Sequence, residues 1–211
     1  MELTCIIMAG GKSTRMESHD EKTIIPILGK PMIEYVIEAA KGSKVNQIIV
    51  ATSPNAPKTS KLVKKFDLEL FETAGEGYHE DLGQILEKFD LKIVLIISGD
   101  FPLISSNDID RIITFHRTAK KSSLSVMARV EDFEKFNLQP TYIMEYQDQK
   151  LVPVGINIID GRKKTNITNV VILQMSLIAP KVSPLIPLKF LFAIPYINNE
   201  GILLPTKITN D

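Results

Sequence analysis

Short apolar runs alternating with stretches of helical spacing constrain this fold more than any other feature of the chain. Residues 3–8, 47–52 and 93–97 each read as a buried strand, and residues 68–71 as a shorter one. Between the first two, Pro31 suits the first turn of a helix, and Met32, Ile33, Val36, Ile37 and Ala40 recur at helical spacing before Gly42. Residues 58–66 read as an amphipathic helix, a second begins in the glycine loop 73–82 and reaches about Phe89, and a third is opened by residues 105–108 and runs to about His116. Strands alternating with helices predict an α/β fold, an open and mostly parallel sheet with helices on both faces. Ligands of such sheets lie beyond the carboxyl ends of the strands. Residues 8–16, 53–57, 75–81 and Asp100 all fall at such ends, so four loops are expected to converge on one edge.

The first of those loops carries the strongest chemical signal. The run Ala9-Gly10-Gly11-Lys12-Ser13-Thr14-Arg15-Met16, with Glu21-Lys22 behind it, puts three cationic side chains around one turn. Glycines that let the backbone approach a ligand, exposed N–H groups and positive charge together make a cradle for a polyphosphate. It is not a P-loop, because Ile6 stands where that motif needs its first glycine. Nor is it the dinucleotide fingerprint, since Lys12 and Arg15 fall on glycine positions. An ordinary strand–turn–helix junction with surface cations is the competing reading.

In 211 residues there is room for one domain with a sizeable core, or a domain with an appendage. The 25 basic and 25 acidic side chains cancel, which argues against a nucleic-acid partner. The lone cysteine, Cys5, sits in the first strand; it excludes an internal disulfide and suits the cytoplasm. His19, His79 and His116 are scattered and make no zinc cluster, and the start lacks a signal-peptide layout. In the second half, residues 124–130 read as a strand and 131–136 as a short acidic helix. Residues 142–146 read as a hairpin with 151–154, and 155–161 as a separate glycine-bounded strand. Beyond Lys164 charges become sparse and prolines punctuate apolar runs without a period, so 162–211 is set apart from 1–161 as an irregular tail. Its lysines and prolines make it a poor membrane span.

Asp100 ends a strand after Ser98-Gly99 and precedes Phe101-Pro102-Leu103. A carboxylate there could hold Mg²⁺, or act simply as a turn or N-cap aspartate. Glu80 and Asp81 suit the solvated start of a helix, where negative charge is favourable. Gly155 and Asn157 read as a buried strand glycine and a turn amide.

The Ala-Gly-Gly-x-Ser-Thr-Arg-Met loop resembles the signature of nucleotidyltransferases with a GT-A-like (MobA-like), Rossmann-like fold, in which a Gly-Asp-x-Pro-Leu strand end carries the metal-binding aspartate. Within that superfamily, Ala51-Thr52-Ser53-Pro54-Asn55-Ala56-Pro57-Lys58-Thr59, Gly75-Glu76-Gly77-Tyr78-His79-Glu80-Asp81-Leu82 and Leu151-Val152-Pro153-Val154-Gly155-Ile156-Asn157 resemble the archaeal adenosylcobinamide-phosphate guanylyltransferases. The likeness runs over residues 1–161. It implies guanylyl transfer from GTP to a corrinoid phosphate, with a divalent cation, normally Mg²⁺, at Asp100. It implies that Ala9, Gly10, Gly11, Lys12, Ser13, Thr14 and Arg15 hold the triphosphate, and that Lys22 faces the α-phosphate and the attacking group. Ser53 and Asn55 would lie near the nucleoside, Gly75, Gly77, Glu80 and Asp81 near guanine, and Gly155 and Asn157 under the acceptor or near the metal. Thr23 replaces the proline usual after Glu-Lys, which removes a restraint on Lys22, and residues 165–211 lack the Asn-x-Asn-Thr-x-x-Asp-Leu segment and helix with which such proteins typically continue. A molybdopterin or sugar phosphate as acceptor, or a GTP-binding relative without catalysis, are the alternatives.

Overall fold

The computed structural model describes residues 2–12, 21–119, 122–134, 139–140, 142–146 and 148–162, and the backbone alone of 169–173 and 202–205. Strand β1 (Thr4–Met8) leads towards a small hairpin, β2 (Pro26–Ile27) and β3 (Lys30–Pro31), and then to α1 (Met32–Lys41). Three further units follow: β4 (Gln47–Thr52) with α2 (Pro57–Val63), β5 (Glu69–Glu72) with α3 (Tyr78–Lys88), and β6 (Ile93–Ser98) with α4 (Ser106–Ala119). Next come β7 (Leu124–Arg129), α5 (Val130–Glu134), the short β8 (Met144–Tyr146) and the long β9 (Gln149–Asp160). Two pieces of the tail, β10 (Asn169–Leu173) and β11 (Ile202–Pro205), complete a nine-stranded sheet of order β11-β10-β7-β9-β6-β1-β4-β5, with β8 on β9.

Side chains alternate across the strands, so each apolar run feeds two cores. Ile6 pairs in register with Ile49 and Ile96, and this row is buried with Leu82 and Ile85 of α3. Its neighbours Cys5 and Ile7 face the other way with Val50, Leu95 and Ile97, against Ile33, Val36 and Ile37 of α1 and Ile109, Ile112 and Ile113 of α4. Helices therefore cover both faces, as the alternation predicts. Burial in this second layer pushes the Cys5 thiol up to about 12, which marks it as a core residue.

Strands β5, β4, β1 and β6 are parallel, whereas β9 lies antiparallel between β6 and β7. The sequence divides β9 into two strands at Gly155; the structure joins them. Gly155 adopts φ +77, and there the pairing with β7 slips from Ser125↔Asn157 to Met127↔Pro153. A glycine that suggests a break is instead a bulge inside one strand, stabilised by pairing on either side. Among the described residues no helix is long and apolar enough to cross a membrane.

Candidate functional site

The carboxyl ends of β1, β4, β5 and β6 share one edge, and backbone bonds align them: Ala9 N–H donates to Ala51 at 2.8 Å, Gly99 N–H to Met8 at 2.8 Å and Thr73 N–H to Thr52 at 2.8 Å. The two glycines after β1 differ. A Cβ on Gly10 would stand 3.0 Å from Ser53 Cβ and 3.1 Å from the Ser53 nitrogen, so this position needs the close approach only glycine allows. Around Gly11 the space is open, and Lys12 is exposed. Ser13, Thr14 and Arg15 lie outside the described residues.

Side chains then tie three loops together. Ser53 Oγ donates to the Gly10 carbonyl at 2.6 Å and accepts from Asn55 N–H at 3.1 Å. Asn55 Nδ2 donates to the Gly75 carbonyl at 3.2 Å, and Gly75 N–H donates to Asp81 Oδ1 at 2.9 Å. Of the two candidate acids, Asp81 is buried and braces the loop, whereas Glu80 is exposed and lies over Gly77, where a Cβ would meet its Oε2 at 2.8 Å.

Lys22 sits in a single 3₁₀ turn, Lys22–Ile24, with a fixed residue on each side. Buried Glu21 accepts from Lys58 N–H at 2.7 Å, from Thr59 N–H at 2.6 Å and from Thr59 Oγ at 2.5 Å. It thus caps the first turn of α2 from outside the helix, satisfying donors that have no partner within it. Buried Thr23 shares a 2.6 Å hydrogen bond between its hydroxyl and that of Thr59. The restraint expected to vanish with the proline is supplied by this hydroxyl pair. Between these anchors Lys22 Nζ reaches Asp100 Oδ2 at 2.5 Å, with about a fifth of each side chain exposed (20% and 23%).

The other Asp100 oxygen, Oδ1, accepts from Ser98 Oγ. Beside Ser98 on β9 is Gly155, whose missing Cβ would come within 3.2 Å of Ser98 Cβ. Two residues further on, Asn157 Oδ1 accepts from Ser125 Oγ at 2.7 Å. Its amide bonds the Tyr78 hydroxyl at the start of α3. Burial raises the pKa of that hydroxyl while the Asn157 bond lowers it. Tyr78 still leaves 45% of its surface exposed at the site. The resemblance of the loop implies a divalent cation at Asp100. Among the described residues no three acidic, His or Cys side chains cluster. The lone partly exposed Asp100 carboxylate fits Mg²⁺, which takes one or two carboxylates and completes its shell with phosphates and water.

The roles of Glu21, Thr23, Thr59, Ser98 and Tyr78 are not read from the sequence. Glu21 and Thr59 are brought together only by folding, but an aromatic opening a helix after Gly-x-Gly was a readable sign.

Residues 5–150 match the MobA-like NTP transferase domain family. The chain is 34% identical, over 167 residues, to an adenosylcobinamide-phosphate guanylyltransferase from Methanocaldococcus jannaschii, spanning 76% of this chain and 82% of that one. It is 29% identical over 135 residues to the bifunctional protein GlmU of Pelotomaculum thermopropionicum, spanning 63% of this chain but only 29% of that relative. A CMP:2-keto-3-deoxy-manno-octonic acid synthetase solved with CTP superposes with a TM-score of 0.58 at 19% identity, covering 76% of this chain and 74% of that one, which shows the common fold. The chain belongs to the MobA-like NTP transferase family and is a nucleotidyltransferase.

Proposed function

We propose that the protein transfers GMP from GTP to adenosylcobinamide phosphate, forming adenosylcobinamide-GDP and releasing pyrophosphate. The observation that carries nucleotidyl transfer is the Lys22–Asp100 pair at the end of β6, on the edge where the Gly10, Ser53 and Gly75 loops are tied together. The corrinoid acceptor rests on the 34% identity to the Methanocaldococcus enzyme.

In this reading the acceptor phosphate oxygen forms a bond to the α-phosphorus of GTP. The bond from that phosphorus to the bridging oxygen breaks, and pyrophosphate leaves with the electron pair. A phosphate monoester, with a second pKa of about 6, is already largely ionised at neutral pH, so no general base is needed. The barrier is the meeting of two anions, and the protein's part is alignment and charge compensation. Gly10, Gly11 and Lys12, with Ser13, Thr14 and Arg15, would take the triphosphate, and Lys22 the α-phosphate and the attacking oxygen. Asp100 would hold the divalent cation, which when bound supplies positive charge to the phosphates. Ser53 and Asn55 hold the wall on the nucleoside side, and Asp81 fixes the Gly75 loop so that its backbone and Glu80 can read guanine. Gly155, Asn157 and Tyr78 form the acceptor side.

The test is pyrophosphate release with Mg²⁺, adenosylcobinamide phosphate and GTP, with ATP as control. Release with GTP and not ATP is expected. A sugar phosphate is the second acceptor to test, and release with that acceptor alone would replace the corrinoid. GTP binding without release under any acceptor would leave a binding protein.

A further inference from the structure

Asp100 is not simply a carboxylate awaiting a metal: within the protein its charge is already met by Lys22 Nζ at 2.5 Å. We propose that Lys22 and a divalent cation compete for Asp100, so that Lys22 is the countercharge of Asp100 until a metal–nucleotide complex displaces it. This rests on the nucleotidyl-transfer reading above.

Three observations support the exchange. First, a divalent cation on Asp100 and the Lys22 ammonium at its present distance repel each other in a partly dehydrated site, so each weakens the other's hold on that carboxylate. Second, the displacement needs no backbone motion. Glu21 and Thr23, on either side of Lys22, are buried and bonded to Thr59, so the turn stays fixed while the flexible lysine stem swings. Third, the remaining Asp100 oxygen is held by the Ser98 hydroxyl, which keeps the carboxylate pointing at the site whichever cation it carries. A triphosphate arriving with the metal gives the displaced ammonium new anionic oxygens, whereas a metal arriving alone does not. Metal and nucleotide therefore bind cooperatively, each strengthening the other by the same factor.

The experiment titrates the full chain with Mn²⁺ alone, followed by the electron paramagnetic resonance signal of unbound Mn²⁺, and then with Mn²⁺ plus a non-hydrolysable GTP analogue. Lys22→Met and Lys22→Gln, each checked for an unchanged circular dichroism spectrum, should bind Mn²⁺ alone about tenfold more tightly than the wild type, since a competing unit charge is gone. Adding Asp100→Asn should abolish that gain. With the analogue present, wild-type affinity should rise while that of the Lys22 variants changes much less. Lys22 variants that bind Mn²⁺ alone no better than wild type, while the analogue still recruits Mn²⁺ to the wild type, would overturn the exchange alone. A wild type that takes up neither the analogue nor Mn²⁺ with it would overturn the nucleotidyl-transfer reading and the exchange together.

Discussion

Glu21 precedes Lys22 in the chain and Asp100 pairs with it, and these two carboxylates are held in opposite ways. Glu21 is buried and accepts two backbone N–H bonds and one hydroxyl, all from the start of α2. Asp100 is a quarter exposed, and its partners among the described residues are two side chains, Lys22 and Ser98. Backbone donors at a helix start cannot leave without unwinding the helix, so Glu21 is fixed. Side-chain partners can rotate away, so Asp100 can change what it holds. The difference separates scaffold from chemistry within one small region, though charge and residue type are nearly the same.

The largest expected effect breaks the comparison at Asp100. Asp100→Asn keeps the shape and the Ser98 contact but removes the charge, and pyrophosphate release should fall by about 10²- to 10³-fold. Unfolding free energy should change by less than about 1 kcal/mol, because a partly exposed ion pair contributes little to stability. Activity assays and urea unfolding on the same preparation check both halves. Loss of stability in step with activity would place Asp100 with Glu21 on the scaffold side.

Glu21 should behave in reverse. Glu21→Ala leaves the N–H groups of Lys58 and Thr59 without their acceptor and should cost about 1–3 kcal/mol in unfolding. Glu21→Gln should rescue only part of this, since its NH₂ must face one of those donors. Turnover should fall by roughly tenfold as Lys22 loses one anchor, with KM for GTP little changed. A Glu21→Gln protein of full stability and lost turnover would show instead that the Glu21 charge acts on the reaction directly.

The legible parts of this molecule are those written in local order. Strand β1, the glycines behind it and the aspartate ending β6 follow from apolar runs and the residues that stop them, and the edge shared by their loops follows from a parallel sheet. What pairs across the chain was not legible. Thr23 read as the loss of a proline because its partner, Thr59, is 36 positions away and nothing local announces a buried hydroxyl pair. Gly155 read as a strand boundary because glycine usually punctuates. Pairing of β9 with β6 on one side and β7 on the other carries the strand through it. Asp81 read equally as a base reader or as a helix-start acid. Its burial and its bond to Gly75 N–H show it bracing the loop, a contact that depends on which way the loop folds back.

The same contrast between fixed and exchangeable partners sharpens at Tyr78, where the smallest effect is expected. Its hydroxyl bonds the Asn157 amide, and Asn157 is held from the other side by Ser125 at 2.7 Å, so Tyr78 is one of two supports for that amide. With 45% of its surface exposed, Tyr78 also remains within reach of a ligand on the proposed acceptor side. Tyr78→Phe keeps the ring and deletes one hydrogen bond, which should lower stability by about 1 kcal/mol or less. If the hydroxyl orients Asn157 towards the acceptor, KM for the acceptor should rise about three- to fivefold while KM for GTP stays constant, a loss of roughly 1 kcal/mol in acceptor binding. Steady-state kinetics with each substrate varied in turn separates the two constants. A shift confined to GTP would move Tyr78 to the nucleoside side, next to Gly75 and Glu80. Unchanged constants for both would reduce its hydroxyl to a structural support of β9.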